Sequence, residues 1–96
     1  MNPYEIKPNI YKQAIETFGE NSQMLKCAEE CSELAQRLIK KALNPKLDNY
    51  DIYSELADVE IMLAQMHLIF NDHNEFIEVK DFKLNRLQQR IDDFTK

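Results

Sequence analysis

Apolar and polar residues along this chain alternate every three or four positions, the spacing of helices with one buried face. Ile10, Tyr11, Ala14, Ile15 and Phe18 share one side of a segment that predicts a first helix over about Asn9 to Phe18. Gly19 stops it, as a C-terminal cap. Asn21 or Ser22 caps a second helix that runs to Leu43. Asn44-Pro45 closes that helix, because proline restricts the residue before it and cannot continue the ladder. Asp48 or Asn49 starts a third helix running to Phe70. Asp72, with Glu75 three residues on, or Asn74, starts a fourth that runs to Phe94. No strand alternation, repeat or low-complexity stretch competes with this pattern. Short connections predict antiparallel neighbours. The expected fold is all-α: an antiparallel helical bundle of about four helices in a single domain over residues 1–96. So small a chain buries only part of its apolar stripes, so completion as a homodimer or homotetramer is expected.

The third helix breaks its own pattern. Ile52, Glu55, Val59, Met62, Met66 and Ile69 alternate three and four apart, a heptad seam. Glu55 occupies one of its slots, and Asp58 lies about 60° to one side. A carboxylate on a packing seam costs several kcal/mol of desolvation unless it is paired or metal-bound. The second helix presents a seam of Met24, Ala28, Cys31, Ala35, Leu38 and Ala42, widened by Leu25 and Ile39. Glu29, Glu33 and Glu30 fan across about 100° beside it, with Glu29 nearest and Glu30 furthest. On its own this Glu run also fits a solvated face, with Lys26–Glu30 and Glu33–Arg37 as pairs four residues apart. A solvated face does not explain Glu55. Taken together, the five carboxylates, with no clustered His or Cys, favour a hard divalent cation, Mg²⁺ or alternatively Mn²⁺.

The fourth helix has the seam Ile77, Lys80, Leu84, Leu87, Ile91 and Phe94, with Lys83, Arg86 and Arg90 nearby. Lys83 and Arg90 fit snorkelling side chains. Lys80 and Arg86 compete as phosphate ligands facing a metal-loaded acidic patch. Composition narrows the choice further. Seventeen acidic residues against twelve basic ones give a net charge of −5, which argues against nucleic acid as a partner. One glycine in 96 residues rules out a glycine-rich phosphate loop, so something else must hold any phosphate. The longest apolar stretch, Ile61 to Phe70, is far shorter than the ~20 residues of a membrane span. The first ten residues have no apolar core, so no signal peptide is expected. Cys27 and Cys31 then read as reduced, helix-packing thiols in a cytoplasmic protein. Neither His67 nor His73 stands at a zinc-ligand spacing to them.

Glu29-Glu30-Cys31-Ser32-Glu33, followed after 21 residues by Glu55-Leu56-Ala57-Asp58, resembles the EExxE…ExxD signature of the all-α nucleoside triphosphate pyrophosphohydrolases, the MazG-like enzymes. The likeness covers about Tyr11 to Arg90 and includes Phe18-Gly19 and Gln23. It implies a helical bundle assembled from two or more subunits and Mg²⁺-dependent cleavage of an NTP or dNTP to the monophosphate and pyrophosphate, a nucleotide-pool housecleaning activity. The implied metal set is Glu29, Glu30, Glu33, Glu55 and Asp58. Lys83 and Arg86 match the basic positions of the last helix. The longer MazG form has an Asp-Leu start and a Lys-x-x-x-Asn spacing there, and this chain has neither; it looks like the short, single-domain members. With Lys80, these residues are the candidates for phosphate or pyrophosphate contact. Glu30 and Glu33 are the candidate catalytic acids, Glu30 as the base because it stands furthest from the seam. Tyr11, Phe18, Tyr50 and Tyr53 are available to stack on a base, although core packing accounts better for each. Two rivals remain. One is a non-catalytic, metal-stabilised helical oligomer serving as a regulatory or interaction module. The other, a di-iron bundle, needs Glu-x-x-His pairs, and Ala64 and Phe70 stand three before the two histidines.

Overall fold

In a computed structural model, residues 7–96 are described, with side chains from Ile10 onward. Most of the segment in which no signal peptide is expected, residues 1–6, lies outside the described residues. The described chain is all-α: α1 (Lys7–Phe18), α2 (Glu20–Leu43), α3 (Tyr50–Ile69) and α4 (His73–Phe94), with no strand among the described residues.

The helix boundaries follow from local chemistry. Gly19 has φ +91, a left-handed backbone that ends α1 and in the same residue turns the chain into α2. Its N–H donates to the Ile15 carbonyl at 2.8 Å, and its own carbonyl accepts from Gln23 at 3.1 Å. That single residue replaces the expected cap at Asn21 or Ser22, which lie inside α2. Asn44 closes α2, and the Lys41 ammonium donates to the carbonyls of Pro45 (2.7 Å) and Leu47, tying down the link to α3. Asp48 Oδ1 accepts from the Tyr50 amide at 3.0 Å, and Asp72 Oδ1 accepts from the Glu75 amide at 3.0 Å, each satisfying a free donor at a helix start.

The α2–α3 pair carries the core. Arg37 reaches Asp51 at 3.6 Å, Glu30 meets Glu55 and Asp58, and Gln23 shares a groove with Met62 and Gln65. Positions fall along α2 as they rise along α3, so the two helices run antiparallel. The third-helix seam packs as its spacing predicts: Val59 and Met62 are buried, and Ile52, Glu55, Met66 and Ile69 half-buried. The α2 seam is corrected by one position. Gln23, Cys27, Glu30, Leu34, Arg37 and Lys41 are its buried or half-buried residues. Of the expected set, Met24 is half-buried, while Ala28, Cys31, Ala35, Leu38 and Ala42 are exposed. The physical reason is that this seam is largely polar, so a search for apolar residues selects the neighbouring stripe instead.

Helix α1 rests on both partners, with Tyr11, Ala14 and Ile15 half-buried and Ile10 and Phe18 exposed. Helix α4 buries no residue at all. Only its start is tied to α3: His67 and Phe76 meet edge to face at 4.5 Å, and His73 Nε2 lies 3.1 Å from the His67 carbonyl. The radius of gyration, 16.7 Å, exceeds the ~13 Å of a compact domain of this size, as a projecting helix requires. No described helix is long and apolar enough to cross a membrane.

Candidate metal centre

Antiparallel pairing brings the two halves of the acidic pattern face to face. Glu30, Glu55 and Asp58 each offer one carboxylate oxygen, and the three oxygens lie within 4.8 Å of one another. Glu30 is only 6% exposed, and Glu55 and Asp58 are half-buried. Glu30 Oε2 and Glu55 Oε2 are buried with no hydrogen-bond partner. Two buried, unpaired oxygens in a cluster of three carboxylates form an arrangement that bare packing disfavours and that a cation relieves. An oxygen-only donor set suits Mg²⁺ or Mn²⁺. The residues therefore fit a divalent ion.

The one-position shift of the α2 seam reverses the order expected among its glutamates. Glu30, placed furthest out by the apolar stripe, is the one driven between the helices, while Glu29 stands exposed beside Lys26 at 3.9 Å. Glu33 is half-buried at the edge of the trio. Among the described residues one positive group approaches the acids: Lys26 Nζ lies 3.1 Å from Glu30 Oε1. This is the expected Lys26–Glu30 pair. The other expected pair does not appear, because Arg37 turns to Asp51.

These neighbours split the acids' proton affinities. The Lys26 hydrogen bond holds the Glu30 carboxyl below its ordinary range, and burial opposes it. The negative charge of Glu30 pushes Glu33 up, with burial and Glu55 adding to the effect. Glu33 therefore holds a proton more readily than Glu30.

The basic residues of α4 stand elsewhere. Lys80, Lys83 and Arg86 are exposed on a helix whose start meets the far end of α3, and Lys80 Nζ sits 6.0 Å over the Phe76 ring. Glu55 and His67 are twelve residues apart on α3, about 18 Å along the axis. Within one chain the structure does not gather these cations at the acids. Cys27 is buried and Cys31 exposed, both as free thiols. Burial raises the Cys27 pKa, as it does for an inert packing thiol.

Beside the trio, α1, α2 and α3 enclose an open groove of about 800 Å³. Phe18 and Met62 are among its apolar lining, Gln65 adds a polar side chain, and Lys26 and Glu29 add charge. Gln65 is 2% exposed and its Oε1 has no partner. Neither the groove nor its buried glutamine is foreshadowed by the acidic motif. The visible signal is Gln65 inside the apolar run of α3. Of the aromatic residues available for stacking, Phe18 lines the groove, Tyr11 is half-buried, and Tyr50 and Tyr53 are exposed. No family model, curated protein or solved structure matches the chain.

Proposed function

We propose that the protein hydrolyses a nucleoside triphosphate, NTP or dNTP, to the monophosphate and pyrophosphate at a Mg²⁺ centre built by Glu30, Glu55 and Asp58. One observation carries this reading: two carboxylate oxygens, Glu30 Oε2 and Glu55 Oε2, are buried without a hydrogen-bond partner in residues that cluster with Asp58. The EExxE…ExxD resemblance supports the same chemistry, and the single glycine leaves a metal as the means of gripping phosphate. A divalent ion bound there supplies positive charge for phosphate oxygens and acidifies a water molecule. Glu30, Glu55 and Asp58 would hold it. Glu33, at the edge and with raised proton affinity, takes a proton from the water that attacks the triphosphate. Water adds across the link between the α and β phosphates, and pyrophosphate leaves.

The working form in this reading is a homodimer or homotetramer. Among the described residues the buried apolar core is Cys27, Val59 and Met62, too little for a chain of this length to stand alone. Leu84, Leu87, Ile91 and Phe94 on α4, and Leu38 and Ile39 on α2, remain uncovered. A second copy of the chain covers them. In such an assembly the α4 cations of one copy can approach the acids of another, which keeps Lys80, Lys83 and Arg86 as phosphate contacts between subunits.

Incubation with a panel of NTPs and dNTPs in Mg²⁺, with monophosphate and pyrophosphate measured, tests the activity. Release of both in equal amounts from at least one nucleotide, abolished by chelation, is the expected result. Folded, metal-loaded protein that releases neither product from any nucleotide would leave the non-catalytic helical oligomer as the better reading.

A further inference from the structure

We propose that Lys26 binds the phosphate chain of the substrate, at the junction between the carboxylate trio and the groove of α1, α2 and α3. The proposal rests on the hydrolase reading above and adds a residue that the acidic signature does not contain. Lys26 Nζ lies 3.1 Å from Glu30 Oε1 and 3.9 Å from Glu29 Oε1, on a side chain half exposed to solvent. An ammonium has three donors; the 3.1 Å contact uses one and the 3.9 Å contact is beyond hydrogen-bond reach, so two remain for an incoming anion. Glu30 meets Lys26 with Oε1, its Oε2 is buried without a partner, and one of its oxygens lies within 4.8 Å of oxygens of Glu55 and Asp58. Lys26 therefore sits one carboxylate away from the metal position.

It also lines the groove. Lys26 and Glu29 add charge to a space whose other walls include Phe18, Met62 and Gln65. A triphosphate held by a cation at the trio, with its base end in that groove, passes the Lys26 ammonium. A compact point charge with rotatable donors suits a phosphate chain. The α4 cations do not reach this junction within the chain, so Lys26 is the cation each chain supplies to its own site. Lys26 and a divalent ion repel each other, so the ion's own binding does not need the lysine.

The test separates phosphate binding from metal binding in the full-length chain. Mn²⁺ binding is followed by electron paramagnetic resonance. Binding of the Mg²⁺ complex of inorganic tripolyphosphate, in excess Mg²⁺, is followed by calorimetry. Lys26→Met should weaken tripolyphosphate binding about tenfold or more. Its Mn²⁺ affinity should stay equal or become up to about fivefold tighter, the range of a half-exposed charge pair. Lys26→Arg should keep most of the tripolyphosphate affinity, and Lys40→Met, exposed and about 21 Å further along α2, should change neither. Unchanged tripolyphosphate binding in Lys26→Met overturns the proposal. So does a parallel loss of Mn²⁺ affinity, which would make Lys26 only a positioner of Glu30. Wild-type protein that binds Mn²⁺ but not tripolyphosphate removes the phosphate role and leaves the metal centre standing. Wild-type protein that binds neither removes both.

Discussion

The α2–α3 pair and α4 carry equally regular three-and-four spacing, yet they end in opposite surroundings. The pair is packed along its length around Gln23, Cys27, Glu30, Val59, Met62 and Gln65, half of them polar. Helix α4 has the more apolar seam in Leu84, Leu87, Ile91 and Phe94, and buries none of it. Apolar content therefore does not decide which helices meet within this chain. Link length does not decide it either: residues 44–49, held by Lys41, fold α3 back on α2, whereas the shorter link 70–72 leaves α4 at a corner held by His67, His73 and Phe76. The buried polar seam is where chemistry is expected, and the bare apolar seam is where another copy is expected.

The sharpest way to break this contrast is at the charged floor of the packed pair. Glu55→Gln should reduce Mg²⁺-dependent turnover at least about a hundredfold while leaving circular dichroism unchanged. Its metal-free melting temperature should rise, because a buried, unpaired charge is gone. Wild-type turnover in this variant contradicts the assignment of the seam. Next in size is the core itself. Met62→Ala should cost about 2 kcal/mol in a denaturant melt, against about 0.5 kcal/mol or less for Leu25→Ala on the open face. Equal losses would erase the distinction between packed and bare faces.

The third test moves to α4. Paired Leu84→Asp and Leu87→Asp should weaken self-association about tenfold in sedimentation velocity, with helicity retained. A wild-type chain that stays monomeric at every concentration would mean that α4 is bare in solution as well. The smallest effect is in pH. Glu33 is held above its ordinary 4.5 by the charge of Glu30. Between 4.5 and that raised value the folded chain keeps a proton that the unfolded chain has lost, so metal-free stability falls as pH rises through this window. Glu33→Gln should remove the fall. Glu30 acts in the other window: its stabilisation is lost as pH drops through its lowered pKa, below 4.5. Thermal melts in chelator from pH 3 to 7 resolve the two, and an unchanged upper slope in Glu33→Gln would refute the Glu33 part.

Much of this was legible in the residues. Gly19, Asn44-Pro45 and Asp72 mark real ends because each acts through its own backbone or side chain, whatever the tertiary setting. The α3 seam was legible because five of its six positions are apolar, so that Glu55 stood out as the exception. The α2 seam was hidden for the converse reason. With Gln23, Glu30, Arg37 and Lys41 among its members, it reads as surface until the partner helix shows where it points. One residue of error rotates the assignment by about 100°, enough to exchange Glu30 for Glu29. The bare state of α4 could not be read from a single chain at all, because a helix that packs within its own chain and one that packs on another copy share the same pattern. The groove with Gln65 likewise depends on three helices meeting, not on any local spacing.

The central claim is that Glu30, Glu55 and Asp58 are a seat for a divalent cation. The most direct measurement is a Mn²⁺ titration of the wild-type chain and of Glu30→Gln, read by electron paramagnetic resonance. Saturable uptake by the wild type, lost or weakened at least about tenfold in Glu30→Gln, is the expected result. No uptake by folded wild-type protein up to millimolar Mn²⁺, or equal uptake by both proteins, would contradict it.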